Sequence, residues 1–153
     1  MTLSIEVTGG GERHLGFSWA EAAGEWVGEV GPLALEALRQ AAPVGQGPGA
    51  GRLRASIRED REVAESTATI TFTAEVPYAD YVVDGTAPHL IQPRSAQALH
   101  WTGPNGSVFA KVVHHPGTRA NDFPSRALAP LTAIIQARLE AAIAEQLAAS
   151  ADE

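Results

Sequence analysis

Residues 67–76 alternate without a fault. Ala68, Ile70, Phe72, Ala74 and Val76 fall on one side, and Thr67, Thr69, Thr71, Thr73 and Glu75 on the other. Side chains of an extended chain point alternately to its two faces, so this run reads as a strand with one face buried. Threonine suits the exposed face of such a strand. One strand cannot bury a face by itself; it needs neighbours in a sheet and a layer laid across them. Ile57 to Val63, rich in Arg and Glu, fits an antiparallel neighbour reached through a turn near Glu65-Ser66. Residues 2–8 also alternate, with Leu3, Ile5 and Val7 on one face, until Gly9, Gly10 and Gly11 break the run.

Two segments supply the covering layer. Trp19, Ala23, Trp26, Val27, Val30, Leu33, Ala34, Leu38 and Ala41 recur at steps of one, three and four, which predicts an amphipathic helix over 19–42. Ser18 and Glu21 have the spacing of a capping box. Gly31-Pro32 predicts a kink or break midway, and Pro43 ends the segment. Near the C-terminus, Leu128, Leu131, Ile135, Leu139, Ile143 and Leu147 make a second stripe, widened by Ile134 and filled with alanine. Asp122 and Pro124 sit where the cap and first turn of that helix belong, and residues 150–153 are expected to fray. The order is thus β, α, a β-rich middle and α. The fold class is α+β: a long N-terminal helix and a C-terminal helix packed on an antiparallel sheet, with an extended loop or hairpin.

The connections differ in character. GQGPGAG, 45–51, is a flexible loop by composition, and Arg52 to Ile57 is one helical turn or the start of a strand. Residues 77–121 contain Pro77, Pro88, Pro93, Pro104 and Pro116, yet they also hold Tyr78, Tyr81, Leu90, Ile91, Trp101, Phe109 and Val113. Leu99-His100-Trp101 and Val108 to Val113, joined by Gly103-Pro104-Asn105-Gly106, predict a hairpin. A long loop carrying apolar residues in a small domain exists to contact something. Between Gly85 and Asn121 there is no Asp or Glu, whereas Arg94, Lys111, Arg119 and four of the five histidines lie there. A stretch without acids in an acidic chain suggests a surface for an acidic partner.

Composition narrows the function classes. The 153 residues are one domain's worth, 1–153, with a contact loop at about 85–121. The net charge is −7, which disfavours a general nucleic-acid binder. Cysteine is absent, so disulfides, Cys-ligated zinc and a thiol nucleophile are excluded. The first residues show no basic and apolar leader pattern, and no apolar run reaches membrane-spanning length, so the expectation is a protein made in a cytoplasm, with no membrane partner.

Catalytic patterns are missing. His89, His100, His114 and His115 invite a metal reading, but there is no HExxH and no carboxylate among them, and adjacent His114 and His115 would face opposite ways in a strand. Ser56, Ser95 and Ser107 lack a nucleophile elbow, and GQGPGAG has no lysine after it. Glu59-Asp60 and Asp80 with Asp84 look like a solvated face and a turn. The expectation is no enzyme, no metal and no cofactor.

Several motifs, taken in order, resemble the tail-component family of long-tailed bacteriophages, whose members are called tail-completion or neck proteins. Ala42-Pro43-Val44 followed by Gly51-Arg52-Leu53-Arg54-Ala55-Ser56-Ile57 is similar to that family's APVDTGRLRASI stretch. Tyr78-Ala79-Asp80-Tyr81-Val82-Val83-Asp84-Gly85-Thr86 resembles its YAxYVExGT segment. His89-Leu90-Ile91-Gln92-Pro93, Ala98-Leu99-His100-Trp101 and His115-Pro116-Gly117-Thr118 resemble its HxIxP…ALxW…HPGT core. Asn121-Asp122-Phe123 with Arg126-Ala127-Leu128 is similar to its xPFLxxAL approach to a C-terminal helix. The likeness spans residues 40–130. Two departures stand out: the family's Asp-Thr is replaced by the longer GQGPGAG, and its Pro-Phe becomes Asp122-Phe123-Pro124.

The resemblance implies a structural virion protein of the neck or head-proximal tail. It implies rings, of six copies, around the DNA channel, joining the tail to the capsid connector, with connector, tail-terminator or tail-tube proteins as neighbours. An acidic lumen would let DNA slide through unbound. On this reading the candidate interface and loop-contact residues are Arg52, Arg54, Tyr78, Tyr81, His89, Arg94, Lys111, His115 and Arg119. Gly85 and Gly117 are turn residues, Trp101 and Phe109 are core or cross-strand contacts, and Phe123 anchors the last helix. The alternatives are a histidine-dependent metal enzyme and a host-derived module that grips an acidic protein through its acid-free loop.

Overall fold

The computed structural model describes residues 1–9 and 17–151. It is an α+β protein. Three strands, β1 (Thr2–Thr8), β2 (Ile57–Val63) and β3 (Thr67–Ala74), form an antiparallel sheet in the order β1-β3-β2. The strand with the cleanest alternation therefore takes the centre, and its residues alternate between half-buried and buried along its whole length. Register fixes the faces: Leu3 and Glu59 flank Phe72, while Ile5 and Arg61 flank Ile70. The turn from β2 to β3 closes with Ala64 N–H donating to Thr67 O at 2.8 Å. Beyond β3, Glu75 and Val76 leave the strand that the alternation extended to them.

Helix α1 (Trp19–Ala41) lies on this sheet. Ser18 caps it by accepting from Glu21 N–H at 3.3 Å. The break expected at Gly31-Pro32 does not occur: the helix runs through Pro32. A proline ring normally crowds the Cβ of the residue before it, and Gly31 has none. The missing donor leaves the Gly28 carbonyl without its helical partner on an exposed face, where water replaces it. Meanwhile Val30, Ala34 and Leu38 are fully buried and hold the helix down. Helix and sheet come close at Gly31, where a Cβ would stand 2.8 Å from both Arg61 Nε and Glu59 Oε2; these two side chains form an ion pair through Arg61 Nη2 and Glu59 Oε1. Pro43 ends the helix by forcing Ala42 into extended backbone (ψ 130°).

The ambiguous segment at 52–57 resolves as one short helix, α2 (Arg52–Ser56), leading directly into β2. At the far end of the chain the single predicted helix is interrupted. α4 (Phe123–Leu128) begins at Asp122, whose carboxylate accepts from Ser125 N–H at 3.3 Å, and a 3₁₀ turn at Ala129–Leu131 separates it from α5 (Thr132–Ala151). Pro130 causes the interruption, having no N–H to give the preceding turn. Both α4 and α5 pack on α1, and Trp26 Nε1 donates to Ile135 O at 3.1 Å. The segment Phe123–Ala151 is long and apolar enough to cross a membrane by length and composition, with little of it buried. Much of that apolarity is alanine, and Arg138 reaches Glu29 at 2.9 Å, a contact between two helix surfaces. The fraying expected of 150–153 is not seen as far as Ala151; the last two residues, like Gly10 and Gly11, lie outside the described part.

The core gathers Trp26, Phe72, Phe123, Leu38, Ile57 and Ile70, all fully buried. Each such side chain contributes about 1.5–3 kcal/mol through burial. Around them Ala22, Ala23, Ala68 and Ala74 keep the helix close to the sheet. Contacts divide the chain into two compact units: residues 1–79 with 122–153, and residues 80–121. The second unit is an arm built by nested antiparallel pairing. α3 (Ala79–Val83) leads to its base, where Thr86 and Thr118 form an isolated bridge. Next β4 (His89–Ile91) pairs with β7 (Val113–His115), and beyond them β5 (Leu99–Gly103) pairs with β6 (Gly106–Ala110). The predicted hairpin is there, but it ends at Ala110. Val113, assigned to it from the sequence, pairs with Ile91 instead.

Candidate assembly surface

The arm has hydrogen bonds and no core. None of the residues from Asp80 to Asn121 is buried, and Tyr81 (63%), Leu90 (54%) and Phe109 (67%) are largely exposed, with Ile91, Trp101, Val108 and Val112 also on the surface. Hydrogen-bonded ribbons of two strands are marginal in water by themselves. Exposed apolar residues clustered on one small unit mark a surface meant to be covered.

Its local order comes from backbone chemistry at the base. Thr86 and Thr118 exchange two backbone hydrogen bonds, at 2.9 and 3.1 Å, and Thr118 N–H also donates to Thr86 Oγ1 at 2.9 Å. Asn121 N–H donates to the Val82 and Val83 carbonyls, each at 3.1 Å. Gly85 (φ 75°) and Gly117 (φ 89°) hold left-handed conformations. Each has a second reason to be glycine, since a Cβ on Gly85 would come 2.5 Å from Thr118 O, and one on Gly117 would run into the Thr86 carbonyl. Both hold the special backbone angles that the sequence asks of them, in segments that form no regular turn.

Two of the arm's histidines stack on each other and a third stacks on a phenylalanine. His89 and His115 sit opposite each other in register, their rings stacked with centroids 4.9 Å apart. His89 Nδ1 lies 3.0 Å from Ala87 O, which can only accept, so that nitrogen carries the proton. His115 Nδ1 accepts from Gly117 N–H at 3.1 Å and is therefore unprotonated. A shallow pocket of about 340 Å³ is lined by both rings with Pro88, Leu90, His114 and Pro116. Among the described residues no group of three His, Asp or Glu is placed to hold a metal ion. Farther out, His100 stacks on Phe109 (centroids 4.6 Å), and Trp101 lies opposite Val108. Trp101 and Phe109 are thus cross-strand contacts but not core: a two-stranded ribbon with no layer over it leaves both exposed.

The cationic candidates have different surroundings. Arg94, Lys111 and Arg119 are exposed on the arm, which has no acid beyond Asp84. Arg52 is exposed at the start of α2. Arg54 instead turns inward along the chain, and its Nη2 donates to Gln40 O (3.2 Å) and Ala42 O (3.3 Å), closing the carbonyl end of α1. Arg39 bonds Ile57 O at 2.8 Å. Tyr78 is exposed near the end of the first unit, and Phe123 is fully buried as the anchor of α4.

The sequence assigns the helical stripes to the core and Glu21, Glu25, Glu29 and Glu36 to a wet face of the first helix. On α1 the exposed residues include Glu21, Glu25, Glu29 and Glu36, with Leu33 among them, and on α5 Ile134 and Leu147 are exposed beside Glu140 and Glu145. The Glu25 carboxyl is pushed above its ordinary range, first by the charge of Glu145, then by lost hydration, then by Glu29. The signal was available in the four-residue spacing of Glu21, Glu25 and Glu29. Comparison with family models, with curated proteins and with solved structures finds no match for this chain.

Proposed function

We propose that this chain is a structural subunit of the head–tail junction of a long-tailed bacteriophage. It is a neck or tail-completion protein that closes into a ring, of six copies, around the DNA channel. Its neighbours are the capsid connector and the tail-terminator or tail-tube proteins; DNA passes through without specific binding, and the protein resides in the virion. The motif order between residues 40 and 130 supports the family reading. The observation that carries an assembly role is the arm, whose residues 80–121 include no buried side chain and present Tyr81, Leu90, Trp101 and Phe109. A contact between different surfaces of identical subunits, repeated by rotation, closes a ring.

Electron microscopy tests this reading, on the purified protein and on particles assembled with and without it. The expected results are rings, antibody label at the neck, and particles without the protein that fail to join head to tail. Particles that contain none of the protein and join normally would overturn it.

A further inference from the structure

The two units carry opposite charge patterns. From Gly85 to Asn121 there is no carboxylate, and Arg94, Lys111 and Arg119 are all exposed there. Of the 18 acids all but Asp80 and Asp84 belong to the first unit, whose helical layer exposes Glu21, Glu25, Glu29 and Glu36 on α1 with Glu140 and Glu145 on α5. Both surfaces are also apolar: Phe109 stands out on one face of the hairpin and Trp101 with Val108 on the other, and Leu33, Ile134 and Leu147 stand out on the helical layer. Charges and apolar residues match in kind and oppose in sign. That complementarity selects another copy of this chain as the occupant, because one molecule supplies both halves.

We propose that the β5–β6 hairpin of one copy docks on the acidic α1–α5 face of the next. The proposal rests on the ring reading and names the surfaces that meet. Contact between two different patches is head-to-tail, the kind that repeats around a ring. Within it Phe109, on the face it shares with His100, loses its exposure against Leu33 and Ile134, while Arg94 and Lys111, in the two connections that flank the hairpin, face the glutamates. The like-charge crowding of Glu25 and Glu145 is relieved by those cations, Glu29 already having Arg138 at 2.9 Å.

Charge exchange tests the pairing. Lys111→Glu with Arg94→Glu reverses the charge beside the hairpin, and Glu25→Lys with Glu145→Lys reverses the helical face. Each pair alone is expected to weaken self-association by about tenfold or more in sedimentation equilibrium. The chain bearing all four substitutions is expected to recover most of that loss. Losses that simply add would overturn the docking. A covalent trap gives a second readout, made clean by the absence of native cysteine. Phe109→Cys chains mixed with Ile134→Cys chains are expected to form a disulfide-linked heterodimer on oxidation. Linkage confined to pairs of Phe109→Cys chains, linkage inside one chain carrying both cysteines, or no heterodimer at high concentration would each overturn it. The outcomes separate the two claims: rings without rescue or trapping leave the subunit reading standing and remove this docking. Rescue and trapping in a protein absent from the neck do the reverse.

Discussion

Phe72 and Phe109 are the same residue on the same kind of secondary structure, yet one is fully buried and the other 67% exposed. Trp26 and Trp101 repeat the contrast on a helix and a ribbon. The difference lies in layers. β3 is central in its sheet and covered by α1, so each strand neighbour and each helical turn adds burial. The arm has strand pairing but nothing laid across it. Hydrogen bonds exchange protein partners for water and yield little net stability; burial supplies most of it. One unit therefore buries its apolar side chains as folded, while the other leaves Tyr81, Leu90, Trp101 and Phe109 uncovered.

The sharpest way to break this comparison is to remove the two phenylalanines in turn. Phe72→Ala is expected to cost about 3–5 kcal/mol in urea unfolding, the usual toll of an emptied aromatic site. Phe109→Ala is expected to leave that unfolding curve within about 0.5 kcal/mol while weakening self-association. Equal destabilisation by both would mean that the arm has a core of its own.

Next in size is Gly117→Ala. The substitution forces a side chain into left-handed backbone and against the Thr86 carbonyl, a penalty of about 1–3 kcal/mol from the conformation alone. The effect should stay local. Hydrogen exchange at the Thr86 and Thr118 amides is expected to accelerate, with the Ile70 and Phe72 amides unmoved. Acceleration in β3 as well would show the units to be energetically coupled.

Arg54 sharpens the same division from the other side. It was a candidate for pairing across subunits, but its side chain closes the end of α1. Arg54→Met is expected to lower stability by about 1 kcal/mol in chemical denaturation and to leave self-association unchanged. A loss of association with normal stability would return Arg54 to the interface.

What could be read from the sequence follows the same line. The alternation of 67–74 and the stripe of α1 were legible because buried faces impose a period on the residues that fill them. The hairpin tip was legible because Gly103 and Gly106 bracket a two-residue turn. The arm's outer course was not: the pairing of His89–Ile91 with Val113–His115 joins short segments far apart in sequence, and no buried face marks their register. Pro32 misled because its effect was judged on the helix alone, without the packing that holds Val30 and Leu38. Pro130 was overlooked because the apolar stripe continues across it. Arg54 was misjudged for a related reason, since which carbonyls a long side chain reaches is decided by tertiary placement.

The smallest expected effect concerns the acidic helical face. The Glu25 carboxyl titrates above its ordinary value in the folded chain because Glu145, lost hydration and Glu29 all oppose its charge. Well below the usual carboxylate range both folded and unfolded states hold the proton, and the group has no influence on stability. As pH rises through that range the unfolded chain ionises first, while the folded chain resists. Stability falls through this interval and stays lower at neutral pH, where Glu25 is charged beside Glu145. Glu25→Gln is therefore expected to raise the Tm slightly at pH 7 and to leave it unchanged at pH 3, as followed by circular dichroism. The gain is small because the site is exposed and water screens the repulsion. If the proposed docking holds, the gain should shrink further in the assembled protein, where Arg94 and Lys111 of the adjoining copy would offset the charge. A gain in the ring as large as in the isolated chain would place the arm's cations elsewhere.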